Sequence, residues 1–459
     1  MNRLLFILLF LASAARALCP HEVLVIANDD SLDSVLVAKT FLRLRDIPEA
    51  NLVRLSIPEE VYKGGRGISP KEFTTLIWNP VQKALDERGL RRHILVWAYS
   101  TDIPFHVKTH PEISTTGLTF LRNRLPADLV EALGHPVDGK TKSDPNLSMY
   151  VSPLFAGPND KAAPQPASKT FEHLHSALLN DMPIPAMYLG WTEPRGNTVD
   201  EILDCLKRGR ASDGTRPSGP VVFSTNEDIR STSRSWEYPG VCSALPLLGV
   251  HAESTPVFPK EGLVCGFMTG MANLPASGMQ FLPGAYADHF TSCAALFHGS
   301  SQTKLSEWIR RGATASSGAV TEPYAYWQKF PGAALFLHQA RGCTMVEAIY
   351  QSVRCPLQLL PVGDPLARPW GVIPRVSVAG LPTGPVSGRV EVSATTDQPD
   401  LFSRFDWLVD GRPVGSGATH LLDTVLLSNG THRLRAVARN RGPLRHNGHA
   451  EVAFEVRNP

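Results

Sequence analysis

The chain lacks most of the short motifs that announce a known chemistry. It contains no CxxC pair, so a zinc ribbon finds no support. No HExxH occurs, and no GxSxG elbow, which argues against a zincin and against an α/β-hydrolase. Gly64-Gly65-Arg66-Gly67 follows no strand and opens no helix in the way a dinucleotide loop requires. Charge of one sign is also missing: 45 Lys+Arg stand against 43 Asp+Glu, a formal net charge of +2. A basic face is not implied, and nucleic acid is not an expected partner. No polybasic run or late apolar tail suggests a second membrane anchor. These absences leave no expected cofactor and no expected metal.

What is present begins with residues 1–17. Met1-Asn2-Arg3 is a short basic start, Leu4 to Ala12 is an apolar run, and Ala15-Arg16-Ala17 places small residues where a signal peptidase reads. The run is shorter than the roughly 20 apolar residues of a membrane span. The expectation is a secretory signal peptide and a working protein that starts near Leu18, secreted or periplasmic. Export permits disulfides. The seven cysteines (19, 205, 242, 265, 293, 343 and 355) are odd in number, and Cys343 with Cys355 is one conceivable pair.

The organisation reads as two folded units. His21 to Asn28 is a continuous apolar strand and Ser34 to Arg45 an amphipathic helix ended by Ile47-Pro48. Asn51 to Ile57 is a second strand. Ser69-Pro70 caps a helix reaching about Glu87, and Ile94 to Ala98 is a third strand. This β-α-β-α-β order predicts a mainly parallel sheet with flanking helices. Residues 109–168, rich in Pro, Gly, Asn and Asp, read as an insertion over that sheet and a candidate lid. Further α/β elements follow to about 372. Residues 373–459 alternate polar and apolar over short strands, with Asp410-Gly411 and Asn429-Gly430 as hairpin turns and Trp407 as the core tryptophan. That pattern predicts an all-β sandwich of the immunoglobulin-like kind.

Candidate chemistry gathers in a few places. Asp288-His289-Phe290-Thr291-Ser292-Cys293, if helical, sets His289 and Cys293 one turn apart as a thiol–imidazole dyad. The alternatives are a capped helix start with a buried Cys293, or a role for Asp288 or His289 alone. His298, before Gly299, has Cys343 as the next thiol in the chain. Asn28, Asp29, Asp30 and Asp102 follow strands, and ligands in open α/β sheets gather outside the carboxyl ends of strands; helix capping explains the first group equally well. His446 and His449 read as residues of a solvated loop.

Several segments together resemble an uncharacterised family of exported bacterial proteins: Val23 to Arg54, Met268-Thr269-Gly270, Phe281-Leu282-Pro283-Gly284-Ala285, Ala287 to Ser292, Gly312 to Gly318, Thr321-Glu322-Pro323-Tyr324 and Gly363-Asp364-Pro365-Leu366. The resemblance spans most of residues 20–370 and brings no established activity. In that pattern an aromatic residue holds the place of Cys293, which weighs against the dyad. A more distant resemblance is to gingipain-type cysteine peptidases, which implies a caspase-like fold for residues 18–372. There a Thr-Gly-His-Gly strand end carries the base; here Thr269-Gly270-Met271-Ala272 has methionine at that place, so the resemblance implies a scaffold without the peptidase dyad. Two functions are therefore expected. One is a hydrolase acting on peptides or related amides, with Asp288 and His289 as acid/base pair and Asp102 and Glu322 nearby. The other is a non-catalytic binding or surface-assembly protein, whose extracytoplasmic partner is a peptide, a protein or a glycan.

Overall fold

A computed structural model describes residues 18–65, 67–125, 127–134, 145–161, 163–164, 167–169, 171, 182–192, 194–440 and 446–459. Residues 1–17, the expected signal peptide, lie outside the described residues. So does Arg66.

The first unit is built on a ten-stranded sheet. In chain order its strands are β1 (Val23–Asn28), β2 (Leu52–Leu55), β3 (Val96–Tyr99), β6 (Ala186–Tyr188), β7 (Val221–Ser224), β8 (Ala252–Thr255), β9 (Glu261–Gly270), β10 (Gly278–Phe290), β11 (Ala315–Ala319) and β12 (Leu359–Gly363). A two-residue pair, β4 (His106–Val107) and β5 (Ile113–Ser114), stands apart from it. The spatial order is β2-β1-β3-β6-β12-β11-β10-β9-β7-β8. The expected parallel core is present: β1 lies between β2 and β3, parallel to both, and all six of its residues are buried. Valine, leucine and isoleucine on both faces suit a strand covered by helices on each side.

One pairing reverses the sheet. β11 and β12 run antiparallel, with Ser317 opposite Pro361, whereas every other neighbouring pair is parallel. The sheet is thus two parallel halves of opposite direction joined at a β11/β12 seam. The carboxyl ends of β1, β2, β3, β6 and β12 share one edge. Those of β7, β8, β9, β10 and β11 share the other. This geometry separates residues that the sequence suggests as neighbours.

The helix Leu32–Arg45 follows β1 and is capped as its sequence dictates: Ser31 Oγ accepts the Ser34 N–H at 3.1 Å, and Asp46 ends it in the left-handed region. The insertion expected at 109–168 does not begin as a lid. Its first helix, Thr115–Arg122, has every residue buried and packs on β6 and β12. Gly117 there has no space for a side chain: a Cβ would lie 2.1 Å from the Leu357 carbonyl oxygen. Replacing Gly117 by alanine gains about 1 kcal/mol of helix propensity. Overpacking against main chain costs about 1–3 kcal/mol or more. We expect Gly117→Ala to lower the urea midpoint; a raised midpoint would show that this helix is not seated on Leu357.

The second unit consists of two antiparallel sheets packed on one core. The first contains β13 (Val376–Ala379), β14 (Arg389–Thr396) and β17 (Thr419–Asp423). The second contains β15 (Phe402–Val409), β16 (Arg412–Ser416), β18 (Gly430–Asn440) and β19 (Asn447–Val456). Val392, Ala394 and Leu422 of one sheet meet Phe405, Trp407 and Leu434 of the other. Trp407 is fully buried and its Nε1–H donates to the Gly417 carbonyl at 2.9 Å. Asp410-Gly411 joins β15 to β16 with both residues at positive φ, as a tight hairpin requires. Asn429-Gly430 is not a hairpin turn: it leads from a short 3-10 helix into β18. No helix among the described residues is long and apolar enough to cross a membrane.

Candidate functional site

Asp288 and His289 lie in β10, not in a helix, so the spacing that would pair His289 with Cys293 does not exist. Consecutive strand residues point to opposite faces. Asp288 is buried and held by Arg234, whose Nη1 and Nη2 donate to the two carboxylate oxygens at 2.9 and 2.7 Å. The Tyr286 hydroxyl donates to the same carboxylate at 2.9 Å. The same two Arg234 nitrogens also donate to the Thr269 and Pro331 carbonyls at 2.7 and 3.1 Å. On the other face His289 is buried. Its Nδ1 accepts the Trp308 indole N–H at 2.9 Å, which leaves the proton on Nε2 to donate to the Thr303 carbonyl at 3.1 Å. Burial lowers its pKa to about 3. Neither nitrogen is left to take a proton from a substrate. The expected Asp288/His289 acid/base pair is therefore not assembled.

Glu322 follows β11 on the same edge. It is exposed, and its Oε1 accepts the Ser292 hydroxyl at 3.0 Å and the Tyr324 N–H at 2.8 Å, which orders a loop. Asp102 follows β3 and so belongs to the opposite edge. The structure does not bring Asp102 into one cleft with Asp288, His289 and Glu322.

The thiols do not supply a nucleophile either. No disulfide forms among the described residues, and the Cys343–Cys355 bridge is not made. Cys343 is buried beside Gln351 and Lys169, with its thiol pushed up by burial, whereas His298 is exposed and faces His106. His446 and His449 do not sit in a solvated loop. His446 Nδ1 accepts the Val372 N–H at 3.2 Å, and His449 lies 3.5 Å from the Asp46 carboxylate, both at the junction of the two units. Cys19, His21 and Glu22 bring potential ligand atoms within 4.8 Å of one another. Arg439 already occupies that position, 3.3 Å from His21 Nε2 and 3.4 Å from Glu22 Oε1, and its charge opposes a metal cation.

The Asp102 edge is different. Asn28, buried at the end of β1, ties three loops there. Its Nδ2 donates to the Ile57 and Asp102 carbonyls, both at 3.0 Å, and its Oδ1 accepts from the Asp30 and Ile57 N–H groups at 3.1 and 3.0 Å. Asp102 itself is held in the left-handed region at φ 57°, a conformation that costs a non-glycine residue energy and concentrates at functional sites. Its carboxylate accepts Ser31 Oγ–H at 2.5 Å on one oxygen, and Thr192 and Thr101 hydroxyls at 2.6 and 3.3 Å on the other. These donors are all neutral. A cleft of about 400 Å³ opens beside it, lined by Asp30, Ser31, Leu32, Asp33, Tyr62, Lys63, Asp102, Trp191 and Thr192. Three carboxylates thus face one ammonium, and Lys63 is itself paired with Glu59. Asp29, the other acid of this turn, is turned away into an ion pair with Arg54. Trp191 is 2% exposed and wedged between Phe105 and Phe297, yet its indole N–H finds no partner among the described residues. An unpaired buried donor is costly. Trp191 and Tyr62 were not singled out by the sequence; a tryptophan three residues beyond the end of β6 was the available signal.

No family model matches the chain, and no curated protein matches it. Three solved structures show marginal likeness. An endo-β-1,4-mannanase from Thermotoga petrophila aligns at 16% identity over 19% of this chain and 20% of that one, with a TM-score of 0.16. The spore cortex lytic enzyme SleM of Clostridium perfringens aligns at 10% identity over 62% and 84%, with a TM-score of 0.17. Catalytically inactive OgpA from Akkermansia muciniphila, solved with an O-glycopeptide substrate, aligns at 9% identity over 53% and 96%, also at 0.17. This chain spans about a fifth of the mannanase. Scores this low carry no argument about fold or function.

Proposed function

We propose that the chain is an exported binding protein without hydrolytic chemistry, and that its Asp102 cleft takes a basic side chain of a peptide or protein. The observation that carries this reading is Asp102: a carboxylate held by hydroxyls alone, in a strained backbone conformation, on a cleft where acids outnumber cations. An ammonium or guanidinium supplies the charge that Asp30, Asp33 and Asp102 lack. Tyr62 forms an aromatic wall there, and burial together with the Asp102 charge raises its phenol above the usual range. Such a wall favours a cation as well.

The scaffold reading belongs to the same proposal. A caspase-like unit carrying an immunoglobulin-like module accounts for a mostly parallel sheet followed by two packed antiparallel sheets. In β9 and β10, Thr269 pairs with His289 and Gly270 with Phe290. Met271 follows this pairing where the gingipain-like resemblance puts the base, and Asp288-His289 lie near where it puts the nucleophilic cysteine; methionine is no base and neither of the others is a thiol.

Binding is tested with fluorescent peptides that differ only in one lysine or arginine, read by polarisation at low salt. Charge-assisted hydrogen bonds are worth about 1.5–3 kcal/mol, so Asp102→Asn should weaken the basic peptide roughly 10- to 100-fold. Acetylating the lysine should do the same. Equal affinity for the lysine and acetyl-lysine peptides would remove the reading.

A further inference from the structure

Residues 18–22 are inserted between the two units in a way that the binding reading does not use. Leu18 is 1% exposed, and its carbonyl accepts Asn447 Nδ2–H at 3.2 Å. Cys19 is buried against Leu408 and Val437 of the second unit, and its N–H donates to Glu22 Oε2 at 2.7 Å. The main-chain nitrogen of Leu18 lies 3.4 Å from Glu347 Oε1. Glu347 is 1% exposed and sits in the first turn of the helix Met345–Ser352, where Oε2 accepts the Thr344 N–H and hydroxyl at 2.9 and 2.8 Å. No cation pairs with Glu347 among the described residues. A buried carboxylate held by neutral donors alone is costly, and of the main-chain nitrogens that reach Glu347, the one that removal of residues 1–17 turns into an amine is that of Leu18.

We propose that Leu18 is the first residue of the working protein and that its α-ammonium forms a buried ion pair with Glu347. The proposal rests on the export reading of residues 1–17. It requires one covalent step, hydrolysis of the Ala17–Leu18 amide by a signal peptidase. Water adds across that bond, Ala17 leaves with a carboxylate, and Leu18 keeps an amine that takes a proton. A weak amide contact at 3.4 Å then becomes an ammonium–carboxylate pair. Because Asn447 and the Leu408/Val437 cluster grip the same segment, the cut also locks the second unit onto the first. Export thereby completes the fold.

The experiment compares the exported chain with one made in the cytosol that carries one extra methionine before Leu18. Intact mass of the exported chain should give Leu18 as its first residue; a chain that is uncut or that starts elsewhere overturns the proposal. At pH 7 the exported chain should melt higher by about 2–4 °C, and Glu347→Gln should abolish that difference. An equal difference in Glu347→Gln overturns the pair. Where Glu347→Gln does not fold, N-acetylation of the exported chain replaces it. The α-amine of an unfolded chain titrates near 7.7–8.0, and pairing raises that value when folded. The advantage of the free amine over its acetylated form is then full below pH ~7.7 and lost as pH rises through the folded value. An advantage that persists unchanged to pH 11 overturns the proposal.

Discussion

Asp288→Ala should destabilise the chain by about 3–5 kcal/mol, the usual result of breaking a buried pair from one side. Arg234 is wholly buried, and two of its four hydrogen bonds go to Asp288. Without the carboxylate, a guanidinium remains beside the Phe290 ring with two carbonyls for company and its ion-pair partner gone. The urea midpoint should fall sharply with the m-value unchanged. The double variant Arg234→Met/Asp288→Leu should recover much of the loss, because two apolar groups replace two charges. Peptide binding at the Asp102 cleft should survive in every variant that folds, since β3 and β10 present their carboxyl ends at opposite edges. A loss under about 1 kcal/mol would show that Asp288 is not committed to Arg234, and would reopen a chemical role for it.

Much of the first half of the sheet was legible from sequence. The apolar run of β1, the capped helix after it and the strand–helix alternation predict parallel strands there, while the order β2-β1-β3 is visible only in the structure. The reversal at β11/β12 was not legible, because chain direction there depends on which strands meet, and β12 carries Pro361 in its interior. Proline inside an apolar run argues against a strand. β10 was misread for a related reason. Tyr-Ala-Asp-His-Phe mixes charge with apolar residues, which a buried parallel strand tolerates only when a partner neutralises the charge, and that partner is Arg234, 54 residues earlier. The Asp102 edge was legible from the rule about strand ends. Ser31, Tyr62, Trp191 and Thr192, which shape the cleft around it, come from separate loops and join only in three dimensions.

Acid should destabilise this chain from about pH 6.5 downward, where most of its exposed carboxylates are still ionised. Burial lowers His289 and His338 to about 3, and His106 and His446 to about 4, from an ordinary value near 6.5. His21 is lowered as well. Each of these groups is neutral when folded and charged when unfolded between its folded value and pH 6.5, so the unfolded state binds more protons there. Stability is fully present above pH 6.5 and is lost as pH falls toward the folded values. The slope is about 1.4 kcal/mol per pH unit for each histidine, or about 5 for the four. Glu237 opposes them. Burial raises it to about 7, so below that pH the folded state holds a proton that an unfolded glutamate releases down to about 4.5. Glu237 offsets about one histidine, and Glu112, Glu347 and Asp364, which burial also raises, oppose the loss further, so the net fall is smaller than the four histidines alone would give. Urea midpoints taken from pH 8 to 5 should be flat above 7 and fall below 6.5. His338→Gln keeps a side-chain acceptor for the Ser168 hydroxyl that sits 2.6 Å from Nδ1 and removes the titration, so its slope should be shallower by about one proton. A midpoint that holds or rises on acidification would mean that these imidazoles are not held neutral by the fold.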